Sequence, residues 1–357
     1  MSEKLNKDFI KLVYKDVIKS NEYITFGYQA DYRQKENKDF GYVPFCNELK
    51  FEEICEIIPL TNPNNRCGLL KESTEFIVVH DTASGAPTAD AKAHRNWLMS
   101  MATNPESKTC VSWHFTVDDH SIYQHIPTNE VAYHAGDGTR VKFEFIDSKV
   151  KAQSNCKANI SVGVDGYYYI NGEKTVIEVP LTDEGTVPTN NDLPTLGINY
   201  KIGENGNYYL SNTYFNSGYK KISNRGGNLN SVGIETCVNY GGDYTKTMRV
   251  NAYLVAKLLC EFNLGIDRVK QHNSFSGKDC PMTIRHSNRW DEFINLVEIY
   301  KYTMTELKDK KVTFESLTPD YLDEEGKVIK FEEGKEISYK VKIDNEEYVL
   351  TSKLTNK

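Results

Sequence analysis

The segment EFIVVH (75–80) is apolar and largely β-branched, and it ends on His80 without offering a polar face. A strand of that composition is buried on both sides, which places it inside a sheet and not at its wetted surface. SVGIETCV (231–238) is a second such run, interrupted only by Glu235. A third strand is expected over 111–118, in CVSWHFTVDD, forming a hairpin with SIYQHIP around Asp119–His120. YTKTMRVNAYLVAKLLCEFNL carries Met248, Ala252, Val255, Leu259 and Phe262 near one face, predicting a helix over 245–263. NRWDEFINLVEIYKYTM predicts another over 288–303. GAPTADAKAHRNWLMSM predicts one that ends near Met101, with Thr88 as its cap. Strands alternating with helices define an α/β chain.

Additions flank and interrupt this pattern. Residues 1–60 read as an N-terminal accessory segment, with a first helix in LNKDFIKLVYKDVIK through Phe9, Val13 and Val17. LTNPNNRCG is rich in turn formers and marks a boundary, so the main domain is expected over 61–305. Residues 138–228 are rich in Gly, Asn, Tyr and Val and lack a helical pattern, which predicts a β-rich insertion. Residues 311–357 carry short alternating runs, KVTFESL, KVIKFEEG, ISYKVKI and EYVLTSKL, which predict a small C-terminal β appendage. No internal repeat and no low-complexity tract stands out. Many of the 23 tyrosines cluster in the insertion, in DGYYYI, NYKIGENGNYYL and YFNSGY. Such clusters meet sugars or brace a sheet, and bracing is the commoner use.

The net charge of −7 disfavours nucleic acid as a partner. The eight cysteines, at 46, 55, 67, 110, 156, 237, 260 and 280, include no CxxC pair and do not space like a disulfide scaffold. Most are expected to be reduced and buried. MSEKLNKDFIKLVYKDVIKS has no apolar run of signal-peptide length, and no stretch approaches a membrane span. The expectation is synthesis in the cytoplasm without a signal peptide.

The chemistry concentrates in QHNSFSGKDCP (271–281). His272 and Cys280 are both ligands for a soft metal, and His80 at its strand end supplies a third. Two imidazoles and a thiolate leave the fourth tetrahedral position open, the layout of a catalytic zinc site. A carboxylate in the apolar strand at Glu235 is costly unless it is paired or faces a site. It is either a proton carrier for a metal-activated water or a structural glutamate on a wetted face. Lys278, two residues before Cys280, is placed to stabilise a developing oxyanion, or is a plain surface lysine.

FIVVHDTASG, VSWHFTVDDHSIYQHIPTNEVAYHAGDG, SVGIETCVNYGGDY and VKQHNSFSGKDCP occur in the order of a known family. Together they resemble the zinc-dependent N-acetylmuramoyl-L-alanine amidases of type 2, related to peptidoglycan recognition proteins and phage T7 lysozyme. The resemblance extends to enzymes of phages and prophages of Gram-positive bacteria, and covers about 60–137 and 229–303. It implies a mixed central β-sheet flanked by helices, with zinc at the floor of a groove. It makes His80, His272 and Cys280 the zinc ligands, Glu235 the catalytic glutamate and Lys278 the conserved lysine. It places His134 in the substrate groove, with a structural hydrogen-bonder as the alternative and no role as a metal ligand, and leaves His114 as a core residue. The T7-like branch has a tyrosine where this chain has Trp113 and lacks the glutamate, so the glutamate route is expected, with Trp113 in groove or core. Phe275 stands where relatives usually carry tryptophan.

The implied reaction is hydrolysis of the amide between N-acetylmuramic acid and L-alanine of the peptidoglycan stem peptide. The implied role is a phage or prophage endolysin, acting on the cell wall after holin-dependent release or virion delivery. Two other readings remain open at this point: a non-catalytic peptidoglycan-binding protein, and a virion-associated module built on the amidase core.

Overall fold

The computed structural model describes residues 2–27, 35–45, 49–135, 145–153, 158–182, 185–193, 198–214, 227–276 and 278–356. The chain opens with helix α1 (Ser2–Val13) and strands β1 (Val17–Lys19), β2 (Asn21–Thr25) and β3 (Lys35–Asp39). Strands β4 (Glu52–Cys55) and β5 (Phe76–Asp81), helix α2 (Ala91–Thr103), and strands β6 (Phe115–Val117) and β7 (Ser121–Gln124) follow. The insertion carries β8 (Phe145–Lys151), β9 (Ile160–Val162), β10 (Tyr167–Ile170), β11 (Glu173–Glu178), β12 (Ile198–Ile202) and β13 (Asn207–Tyr214). After it come β14 (Ser231–Thr236), α3 (Tyr244–Glu261), β15 (Val269–Gln271), the short helices α4 (Asn273–Ser276) and α5 (Met282–His286), and α6 (Trp290–Thr305). Strands β16 (Val312–Ser316), β17 (Glu336–Ile343) and β18 (Glu346–Thr355) close the chain.

The central sheet is mixed, in the order β15-β5-β14-β6-β7-β4. Strands β15, β5, β14 and β6 are mutually parallel, and β7 runs antiparallel to β6. The two apolar runs of the sequence are its central pair, β5 and β14, and their register sets His80 beside Glu235. Ile77, Val79, Val232 and Ile234 pack with Met248, Val255 and Leu259 of α3 and with Phe293 and Val297 of α6. Leu98, Met101 and Ala102 of α2 form another cluster with Trp113 and Ile126. Burying each aliphatic side chain of these clusters contributes roughly 1.5–3 kcal/mol. The expected helix cap at Thr88 is instead Asp90, whose Oδ1 accepts from the Ala93 N–H at 2.7 Å. Asp90 stands directly before the first helical residue, where a short acceptor reaches the third N–H. Among the described residues no helix is long and apolar enough to cross a membrane.

The two chain ends, read from sequence as separate additions, share one core. Helix α1 stops at Val13, and Val17 belongs to β1, which pairs in parallel with β18 in the sheet β1-β18-β17-β16. The β-branched Val17–Ile18 pair finds a strand partner at the far end of the chain, so tertiary pairing overrides its continuation of the helical pattern. Phe9, Val13, Ile18, Val43 and Phe45 then pack with Phe314, Ile337, Tyr339 and Val341, and Ile299 and Leu307 close the cluster. A buried ionic knot fastens the N-terminal segment to the main domain. Arg289, with its side chain 1% exposed, meets Asp39 at 3.3 Å, Glu292 at 2.8 Å and Thr245 Oγ1 at 3.1 Å.

Residues Ala135–Asn228 form a compact unit of their own. The expected start of the insertion, 138, lies outside the described residues. This unit contains a repeat that the sequence reading misses. GVDGYYYI (163–170) and GENGNYYL (203–210) form equivalent turns. Gly163 N–H donates to Tyr167 O at 2.8 Å, and Gly203 N–H to Asn207 O at 2.9 Å. Gly166 and Gly206 have φ of 77° and 75°, a region that favours glycine. A Cβ on Gly163 or Gly203 would fall 2.3 Å from Cε2 of Tyr169 or Tyr209, so each turn glycine makes room for a tyrosine ring. Tyr168 and Tyr208 are fully buried equivalents in the shared core. The strands before each hairpin also match: Ser148 Oγ accepts from Val150 N–H, and Thr175 Oγ1 from Ile177 N–H, each at 3.1 Å. The partners are exchanged, since β8 pairs with β13 of the second hairpin and β11 with β10 of the first. The linker from strand to hairpin is longer in the second copy, which destroys a constant repeat spacing and hides the pattern from sequence.

The cysteines are less buried than expected. Cys55 and Cys110 are exposed, Cys67 and Cys260 half-buried, and Cys237 and Cys280 buried. Cys46 and Cys156 lie outside the described residues.

Candidate metal centre

Parallel strands deliver their side chains and backbone ends to one edge of the sheet, where binding sites of α/β folds gather. His80 is the penultimate residue of β5, Glu235 of β14, and His272 follows directly on β15. The His272 N–H donates to Val79 O at 3.2 Å, which prolongs the ladder to that histidine. The loop after it returns Cys280 to the same place. Asn273 N–H donates to Cys280 O at 3.0 Å, and the Asn273 side-chain amide to Lys278 O at 2.8 Å. Asp279 pairs with Arg285 at 2.9 Å and with His286 at 2.7 Å, bracing the loop against α5.

His80, His272 and Cys280 are all buried and converge, with one donor atom from each lying within 4.8 Å of the others. His80 Nδ1 is 3.0 Å from His272 Nδ1 and 3.8 Å from Cys280 Sγ. Zinc bonds of about 2.0–2.1 Å to nitrogen and about 2.3 Å to sulfur imply, at tetrahedral angles, separations of about 3.3 and 3.6 Å. The donor set therefore fits a tetrahedral cation. Glu235 adds to the fit. Its Oε1 lies 3.9 Å from His80 Nδ1, and its Oε2 is buried with no hydrogen-bond partner. A carboxylate oxygen left so is expensive without a cation or a water to face.

The electrostatics favour neutral groups until a cation arrives. Burial pushes the His80 imidazolium well below its ordinary range, helped by His272, His134 and Lys278. Burial raises Glu235 well above the carboxylate range; Asp81 adds to that and Lys278 opposes it. The Cys280 thiol is raised likewise by burial, then by Asp81 and Glu235, while the Asp81 N–H and Lys278 favour its thiolate. Lys278 is exposed, yet its charge reaches all these groups.

His134 is buried rather than set on an open groove face, and Trp113 takes the core alternative. His134 is 6% exposed, and its Nδ1 lies 2.9 Å from His80 Nε2, behind the ligand and not on an open face. Its Nε2 is 3.3 Å from Ser231 Oγ. The ring fits because β14 has glycine opposite it, since a Cβ on Gly233 would fall 2.5 Å from His134 Cγ. Trp113 is a core residue: its Nε1 donates to Thr116 Oγ1 at 2.7 Å and its ring stacks at 5.9 Å on the half-exposed Trp97. Phe275 packs edge-on against Phe76 at 5.6 Å. His114 is tied to backbone through both nitrogens, to Glu130 O at 2.9 Å and Gly233 N–H at 3.0 Å.

Sequence reading misses Asp81 and Ser231. Asp81 is buried beside His80 and accepts from Thr283 N–H at 2.8 Å. A charged residue closing an apolar strand is a signal for it; nothing local marks Ser231. A second cluster, Asp118, Asp119 and His120, is structural. Both Asp118 oxygens are taken, Oδ2 by Ala91 N–H and Oδ1 by the His120 and Ser121 N–H groups.

A mixed α/β sheet thus presents two imidazoles, a thiol and a carboxylate with one buried, hydrogen-bond-free oxygen at its strand ends, the donor set of a candidate metal site. The chain belongs to the N-acetylmuramoyl-L-alanine amidase family, whose model matches residues 70–283, more than half of it. It is 29% identical over 240 residues to the N-acetylmuramoyl-L-alanine amidase CwlH of Bacillus subtilis, covering 67% of this chain and 58% of that protein. It is 28% identical over 240 residues to the amidase XlyA of the same organism, covering 67% of this chain and 49% of that one. The chain thus spans about half the length of the curated relatives it matches. Among solved structures, the catalytic domain of XlyA is similar at 27% identity and a TM-score of 0.40, covering 69% of this chain and 99% of that one.

Proposed function

We propose that this chain is a zinc-dependent amidase that cleaves the bond between N-acetylmuramic acid and L-alanine of the peptidoglycan stem peptide. The observation that carries the reading is the convergence of His80, His272 and Cys280 beside the hydrogen-bond-free oxygen of Glu235. His80, His272 and Cys280 would hold the cation, Cys280 as its thiolate. Zinc held there supplies Lewis-acid chemistry, polarising a carbonyl and acidifying a water.

The chain's own residues do the rest. Glu235 accepts the proton of the attacking water on Oε2 and returns it to the departing L-alanine amine. Burial, with Asp81, raises its proton affinity, and Lys278 opposes that. The Lys278 ammonium, reaching the site from an exposed position, offsets charge on the carbonyl oxygen. His134 holds the far nitrogen of His80, which fixes the ring that faces the cation. In its biological setting the reading is an endolysin of phage or prophage origin, which reaches the wall by a holin or as part of a virion.

Purified cell wall incubated with the protein and zinc is expected to release free α-amino groups of L-alanine without new reducing ends. Chelation is expected to abolish the release. Wall binding without release would leave the non-catalytic reading standing, and new reducing ends would mark a glycosidase instead.

A further inference from the structure

We infer that Asp81 is a positioning residue for the Cys280 ligand, clamping the two arms of the metal site together from beneath. The inference rests on the metal centre of the proposed function. His80 and Cys280 come from segments far apart in sequence, and nothing covalent fixes their separation. Asp81 touches both arms. It follows His80 on β5, so its backbone moves with that ligand. Its carboxylate Oδ2 accepts from Thr283 N–H at 2.8 Å, in the first turn of α5, which begins two residues after Cys280. The Met282 and Ala83 N–H groups also lie within hydrogen-bonding reach of its carboxylate. Its own main-chain N–H faces the Cys280 sulfur.

No residue of α5's own sequence caps it. Its N-cap position is Pro281, which makes no side-chain hydrogen bond to the helix. The first N–H groups of a helix need acceptors. Asp81 supplies one across space, and in doing so fixes where the Cys280–Pro281 corner sits relative to β5. The neighbouring brace, Asp279 with Arg285 and His286, is surface-exposed in part and holds the same helix. Exposed pairs of that kind hold weakly, whereas the Asp81 contact is buried. The chain thus places a carboxylate 5% exposed, between two ligands, whose hydrogen-bond partners are backbone N–H groups.

The test uses the full chain loaded with zinc and, in parallel, with cobalt(II), whose thiolate charge-transfer absorption reports the sulfur ligand directly. Asp81→Ala is expected to weaken zinc binding about 10–100-fold in competition with a chromophoric chelator. It is also expected to diminish the thiolate-to-cobalt band. Asp81→Asn keeps an acceptor of the same reach and is expected to stay within a few-fold of the parent by both measures. Circular dichroism of the metal-free proteins checks the fold, and Asp81→Ser, too short to reach Thr283, takes the place of an alanine variant that does not fold. An alanine or serine variant with the parent's affinity and band would overturn the inference, and so would an asparagine variant as impaired as alanine. A parent chain that binds neither metal would instead overturn the proposed function.

Discussion

His80 Nε2 lies 2.9 Å from His134 Nδ1, while His80 Nδ1 faces His272 and Cys280. The two nitrogens of one ring are thereby given different surroundings, one at hydrogen-bonding distance from His134 and one turned to the candidate metal site. An imidazole held at its far nitrogen presents a fixed tautomer and a fixed ring plane, which a mobile histidine does not. The second histidine is itself seated on a glycine of β14 and reaches Ser231 beyond it. The candidate metal centre is therefore built from the sheet outward.

Glu235→Gln should keep the zinc content of the parent and lower amide hydrolysis about 10²–10⁴-fold, the usual range for a positioned acid–base group. The amide is isosteric and uncharged, so packing in β14 is preserved. Zinc analysis beside an L-alanine release assay checks it. Full activity in a zinc-replete variant would remove Glu235 from the chemistry.

Removal of zinc should lower the melting temperature, because a ligand that binds the folded chain alone stabilises it by mass action, by about 2.7 kcal/mol at a hundredfold excess over Kd. Cys280→Ser should melt near the metal-free parent and should not respond to added zinc. Calorimetry with and without chelator reads both. A melting temperature indifferent to zinc in the parent would contradict the metal centre.

Acid should destabilise even the metal-free protein. Burial holds His114 and His125 at about 3, against about 6.5 in an unfolded chain. Between those values the unfolded state binds protons that the folded state refuses. Stability is therefore complete above about pH 6.5 and falls as the pH drops toward 3, by up to about 1.4 kcal/mol per pH unit for each histidine. Urea titrations between pH 4.5 and 7 should show this slope, and His125→Gln should flatten it. Equal slopes in parent and variant would refute the assignment.

Arg289→Ala should destabilise the chain by about 3–5 kcal/mol, since it leaves Asp39 buried without its cation. The loss should appear first as protease sensitivity of residues 1–45, because Asp39 belongs to that segment. Denaturant unfolding and limited proteolysis check the two parts of this expectation. A change under 1 kcal/mol would mean that Asp39 is neutral in the folded protein, in keeping with the upward push that burial gives it.

The sheet and the candidate metal-site residues were legible because each carries a local mark. A strand with no polar face must be covered on both sides, and β5 and β14 are such strands. The helix α3 is marked by its apolar spacing, and His80, His272 and Cys280 by their residue types. Phe9 and Val13 belong to the expected first helix, but Val17 leaves it for a strand whose partner, Lys353, lies at the other end of the chain.

Amino-acid order alone determined that this chain is α/β, where its apolar strands and long helices run, and which side chains have metal-binding chemistry, since those properties depend on each residue and its near neighbours. The folded molecule decided the rest: which nitrogen of His80 faces the site, that His134 stands behind it, that Asp81 reaches Thr283, that the two chain ends share a core, and that the strands of the insertion change partners. Each of these is a contact between residues far apart in the chain. Its free energy depends on distance and angle, which no local pattern encodes.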